Sequence, residues 1–105
     1  MSLGFANDGL DRADDRPFDR IIDGLNNVHR RRMLVALLES NIQHVMDLEA
    51  STEAVHTHLP KLEWYGYIAL DNTGKTFSRG NRWSEIEPVI ELLDSRCDDL
   101  PEGWL

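Results

Sequence analysis

The chain has 105 residues, enough for one domain around a single modest core and too few for two. Nineteen acidic residues against eleven basic ones set the net charge at −8, so the broad basic surface of an ordinary nucleic-acid binder is absent from the composition. No apolar run approaches the roughly 20 residues of a bilayer span, and the lone Cys97 excludes an internal disulfide.

The basic set is lopsided: nine Arg stand against only Lys61 and Lys75. Lys is normally among the commonest residues. A cytoplasm with molar salt explains the scarcity, because there carboxylates hold hydration and surface ammonium stems are disfavoured. The alternative is an acidic protein with an Arg-rich codon bias, but Asp outnumbers Glu, 11 to 8, which favours the first. Cys97 reads as a small buried hydrophobe in a reducing interior. The first residues hold no signal-peptide h-region, so a cytoplasmic location without membrane contact is expected.

Residues 1–16 are polar, with Asp8, Asp11, Asp14 and Asp15 among Gly and Arg, and read as a disordered arm ahead of a folded domain over 17–105. Pro17 precedes the first periodic segment. Phe18, Ile21, Ile22 and Leu25 fall at i, i+3, i+4 and i+7, one apolar helix face ending at Asn26-Asn27. A second helix is expected over 28–40. Met33 through Leu38 are apolar nearly all round, which marks the most buried helix. Its first turn carries Arg30, Arg31 and Arg32, where cations oppose the helix dipole. Either a function keeps them there, or they form a solvated face neutralised by the acidic arm.

Residues 41–50 admit a short helix or a packed turn. From Ser51, a good N-cap, a third helix runs toward Tyr65, with Val55, Leu59 and Leu62 on one face. Pro60 predicts a kink, or a restart with Pro60 in the first turn of a second segment. Gly66 is the expected stop. Tyr67-Ile68-Ala69-Leu70 and Lys75-Thr76-Phe77-Ser78 read as two strands around an Asp71-Asn72-Thr73-Gly74 turn, a β-hairpin. Ser84-Glu85-Ile86-Glu87 matches a capping box that opens a fourth helix ending near Arg96, with Pro88 in its first turn.

The expected fold is therefore mainly α with a small antiparallel β-hairpin, in the order of a winged helix-turn-helix. The run Asp23-Gly24-Leu25-Asn26-Asn27-Val28-His29-Arg30-Arg31-Arg32-Met33-Leu34-Val35-Ala36-Leu37-Leu38 resembles haloarchaeal winged helix-turn-helix proteins of the ArsR-like type, usually described as transcriptional regulators. So do His56-Thr57-His58-Leu59-Pro60-Lys61-Leu62-Glu63-Trp64-Tyr65-Gly66-Tyr67-Ile68 and the ending Leu100-Pro101-Glu102-Gly103-Trp104-Leu105. The resemblance covers 18–105 and implies a DNA-binding regulator. Members often carry a longer acidic stretch before the recognition helix. Here 41–50 is compact, so the first helix of the helix-turn-helix pair is shortened or missing.

Candidate DNA contacts are Arg30, Arg31 and Arg32 on the second helix, Thr52, His56 and Lys61 on the third, and Lys75, Arg79 and Arg82 around the wing. Wing cations on phosphates and a helix in the major groove would be the division of labour. Against it, Glu53 and Glu63 sit beside the few cations of the third helix. The fourth helix with Trp64, Trp83 and Trp104 points to a homodimer through the C-terminal helix, unless these rings merely cap a small core. His44, His56, His58 and Cys97 could donate to a metal, but His-x-His is poor spacing on a helix face. No metal, cofactor or catalytic motif is expected, so the chain reads as a non-enzyme. The alternative to DNA binding is a winged-helix module for protein–protein interaction.

Overall fold

The computed structural model describes residues 16–48 and 50–105. All of the expected arm except Arg16 lies outside the described residues. Four helices pack around a three-stranded antiparallel sheet.

Helix α1 (Pro17–Leu25) opens with Pro17 in its first turn, where the missing N–H costs nothing. It buries Arg20, Ile21 and Gly24 rather than its whole apolar stripe. Phe18 and Ile22 stay 65% and 51% exposed, which corrects the predicted face. The inward direction is set by an ion pair and a close approach. Arg20 reaches Glu85 at 3.0 Å, and a Cβ on Gly24 would already stand 3.4 Å from the Tyr67 ring.

Helix α2 (Val28–Glu39) starts on Asn27, whose side chain accepts from the His29 N–H at 2.8 Å. Met33, Leu34, Val35 and Leu37 are buried, so α2 is the central helix, as its composition predicts.

Residues 42–44 correct the sequence reading, which expected no strand there, while the short turn that follows agrees with it. They hold a strand, β1 (Ile42–His44), followed by a 3-10 turn at Val45–Asp47. Three residues are too few to show a period of two, and the partner lies far along the chain. β1 pairs antiparallel with β3 (Thr76–Arg79), Gln43 opposite Phe77, and β3 pairs in turn with β2 (Ile68–Leu70). The sheet order is β1-β3-β2, so the hairpin gains a third strand. Both hairpin strands lie about one residue from their predicted limits.

Helix α3 (Thr52–Tyr65) begins on Ser51, whose hydroxyl accepts from Ala54 N–H at 3.1 Å. It runs through Pro60 as one helix, correcting the predicted restart. Pro60 lies on the exposed face, one turn after the exposed His56, so water can reach the carbonyl it frees. Gly66, at φ +85°, ends the helix in the left-handed conformation. Its N–H bonds the Glu63 carbonyl and the Tyr67 N–H bonds that of Leu62, closing the last turn.

Helix α4 (Trp83–Ser95) starts one residue before the predicted capping box, on Arg82 without a side-chain cap. Ser84 therefore falls inside the helix and Pro88 lies beyond its first turn. Trp83, Ile86 and Ile90 are buried against the core. Cys97, in a 3-10 turn at Cys97–Asp99, is exposed, not buried as predicted. Polar Asp98 and Asp99 follow it in the turn. Of the three Trp, Trp83 is buried, Trp104 half-buried and Trp64 74% exposed. Among the described residues, no helix is long and apolar enough to cross a membrane.

Candidate functional site

The arginines that looked anomalous at the start of α2 are explained by the end of α1. A helix leaves its last four carbonyls without intrahelical donors and places partial negative charge there. Only Asn26 and Asn27 separate α1 from α2, so the first turn of α2 stands beside that end. Arg30 donates to the carbonyls of Gly24 (3.2 Å, Nε) and Asp23 (2.7 Å, Nη2), and Arg31 to that of Leu25 (2.7 Å, Nη1). These cations disfavour α2's N-terminus and favour α1's C-terminus more directly, because they touch its carbonyls.

Arg31 also clamps the C-terminal segment. Its Nε and Nη2 donate to the carbonyls of Trp104 and Gly103, each at 2.8 Å, and its guanidinium lies 5.5 Å from the Trp104 ring centre. Arg32 is exposed and donates one bond, to the Leu105 carbonyl at 3.0 Å. Arg79, on β3, serves the end of α2 as Arg30 serves that of α1. It bonds the Leu37 carbonyl at 2.8 and 3.0 Å and that of Leu38 at 3.3 Å, and stacks over Trp83. Gln43 on β1 adds a bond to the Ala36 carbonyl at 2.8 Å.

Lys61 of α3 is held inward. Its Nζ lies 3.1 Å from Asp23 Oδ2 and 5.2 Å from the Tyr65 ring centre. The Tyr65 hydroxyl donates to the same carboxylate oxygen. Burial pushes the Asp23 carboxyl up, but the bonds from Tyr65 and Lys61 outweigh it and hold the group below its ordinary range. Burial and the Asp23 carboxylate together raise the Tyr65 phenol.

Of nine candidate contact residues, four are thus tied into the fold: Arg30, Arg31, Lys61 and Arg79. Thr52, His56, Lys75 and Arg82 are exposed, and their side chains make no hydrogen bond or ion pair with any described residue. Thr52 and His56 are one turn apart on α3. His56 and Pro60 face Thr73 and Gly74 of the hairpin turn across a cleft of about 320 Å³, floored by Val45, Val55, Leu59 and Leu70. Lys75 follows Gly74 in that turn. Arg82 does not join them. It sits at the opposite end of the hairpin, with its side chain beside Gly66.

Sequence reasoning missed Asp23, Tyr65 and His58 as organisers of the corner between α1, α2 and α3. The signal was present in the spacing: arginines six residues beyond the last carbonyls of a helix, across a two-residue link. Among the described residues, no three His, Cys, Asp or Glu side chains gather as a metal site would require. No protein-family model matches the chain, and comparison with curated proteins and with solved structures gives no match.

Proposed function

We propose that the chain is a winged helix-turn-helix that binds DNA as a transcriptional regulator, with α3 facing the major groove and β2–β3 as the wing. The observation that carries the reading is His56 at the cleft between α3 and the hairpin turn, with Thr52 one turn before it on α3 and Lys75 next to Gly74, all three exposed and without intramolecular side-chain bonds to described residues. The passage of α3 through Gly66 into β2 and the interleaved sheet order support it. The 3-10 turn at Val45–Asp47 stands where the first helix of the pair would be, so docking rests on α3 and the wing. Phosphate contacts then fall to Arg32, Lys75 and Arg82. Three such contacts give a salt slope of about −3 on a log–log plot, shallow enough for binding to persist in concentrated salt. A homodimer through α4 would double that slope and read two half-sites.

The internal capture of Arg30, Arg31, Lys61 and Arg79 favours a second reading, a protein-interaction module with the same fold. Selection of bound fragments from genomic DNA at about 2 M KCl separates the two, at an ionic strength where weak surface attraction is screened. Enrichment of a common sequence supports DNA binding. Affinity no greater than that of an acidic control protein, with no preferred site, leaves the interaction module. A salt-adapted origin is checked separately: the melting temperature should climb with KCl as repulsion among 19 carboxylates is screened, and a flat dependence would remove that part of the proposal.

A further inference from the structure

Arg30 is 7% exposed, and its guanidinium uses all three nitrogens: Nε and Nη2 on the Gly24 and Asp23 carbonyls, and Nη1 on His58 Nδ1 at 3.0 Å. An arginine has five N–H donors and no acceptor. The contact with His58 is therefore a hydrogen bond only when Nδ1 carries a lone pair, which makes the imidazole neutral with its proton on Nε2. We propose that His58 is a proton-sensitive latch, fastening α3 to the α1–α2 corner while neutral and releasing it when protonated.

The surroundings make release one-sided. From α2, His58 faces Arg30 and the ring of His29, stacked at a centroid distance of 5.8 Å. From its own helix it faces Lys61. The nearby carboxylate, Asp23 of α1, is engaged by Lys61 and Tyr65 and makes no bond to His58. A proton on Nδ1 would turn the acceptor into a donor aimed at a guanidinium, with a second cation one turn along. Burial first, then the charges of Arg30, His29 and Lys61, hold the imidazole below its ordinary value.

The consequence has a definite sign. A histidine depressed in the folded state takes up its proton first in the unfolded chain, whose pKa is about 6.5. Above about pH 7 the latch leaves stability untouched. Below that, stability falls as the pH drops until the folded value is passed, and is level again beyond it. The window lies above the carboxylate range, so the acidic surface contributes little to it.

The test is ¹⁵N NMR of the His58 side chain, with denaturant unfolding of the full chain between pH 7.5 and 5.0. The expected spectrum at pH 7.5 shows Nδ1 bare and Nε2 protonated, with a titration midpoint below 6.5. His58→Asn places an acceptor oxygen near the Nδ1 position and does not titrate, so it should lack this loss of stability on acidification, whereas His44→Gln, on β1, should keep it. A proton on Nδ1 at neutral pH, a midpoint at or above the ordinary value, or an unchanged slope in His58→Asn each overturns the latch. If His58→Asn does not fold, the wild-type spectrum and titration decide alone.

Discussion

The α1–α2 corner and the α3–hairpin face carry the same kinds of polar side chain and use them in opposite ways. At the corner, every nitrogen of Arg30 and Arg31 meets a carbonyl or a histidine, closing α1 and clamping the C-terminal segment. On the face, Thr52, His56 and Lys75 point to solvent and bond nothing in the chain. A cation inside a fold is thus read by what its donors touch. Where helix ends converge, carbonyls without donors capture the arginines first. Where a helix face is exposed and its ends are already capped by Ser51 and Gly66, polar groups stay available to a partner.

The comparison breaks most sharply at Arg30. Arg30→Ala removes the donor to the Gly24 carbonyl and to His58, and should lower stability by about 3–4 kcal/mol, the cost of buried groups left unsatisfied. Arg30→Lys should recover little, since one ammonium cannot span three acceptors. Denaturant unfolding checks both, and a loss below 1 kcal/mol, on the scale of an ordinary surface change, would remove the corner's structural role.

Arg79→Ala tests the same idea at the end of α2. Losing the bonds to Leu37 and Leu38 and the stacking on Trp83 should cost about 2 kcal/mol. DNA affinity measured well below the melting temperature should not change, since Arg79 is turned inward onto the Leu37 and Leu38 carbonyls and the Trp83 ring. A fall in affinity with unchanged stability would return Arg79 to the binding face.

Gly74→Val tests the hairpin side of the α3–hairpin face. Its φ of +72° is strained for any side chain, yet a Cβ there meets nothing within 4 Å. The substitution should therefore cost about 1–2 kcal/mol through backbone strain alone. An unchanged melting curve would mean the turn adapts and does not fix the position of Lys75.

The smallest stability effects belong to the face itself. Thr52→Ala, His56→Ala and Lys75→Ala should each stay within about 0.5 kcal/mol of the wild type. If the face binds DNA, Thr52 and His56 should change which sequences are preferred, while Lys75→Ala weakens all sequences alike and lowers the salt slope by about one. Titration of a selected and a scrambled site across a salt series distinguishes these outcomes.

Local signals placed most of the architecture from sequence alone. The limits of α2 and α3, Ser51 as a cap, Gly66 as a stop and Gly74 in the turn all follow from periodicity and from conformations that few residues adopt, so they are written in neighbouring residues. The same holds for the buried helix at Met33–Leu37 and for the polar exposure of Thr52 and His56. What the tertiary structure alone decided are pairings between distant segments. β1 exists because Gln43 meets Phe77, thirty-four residues away. Phe18 and Ile22 are exposed because Arg20 and Gly24 turn α1 toward Glu85, Ile86 and Tyr67. The arginine triplet could be seen as misplaced from its own helix, but the role of Arg30 and Arg31 lay in the carbonyls of the helix before it. A local pattern states which groups need partners, and only the packed chain determines which partners arrive.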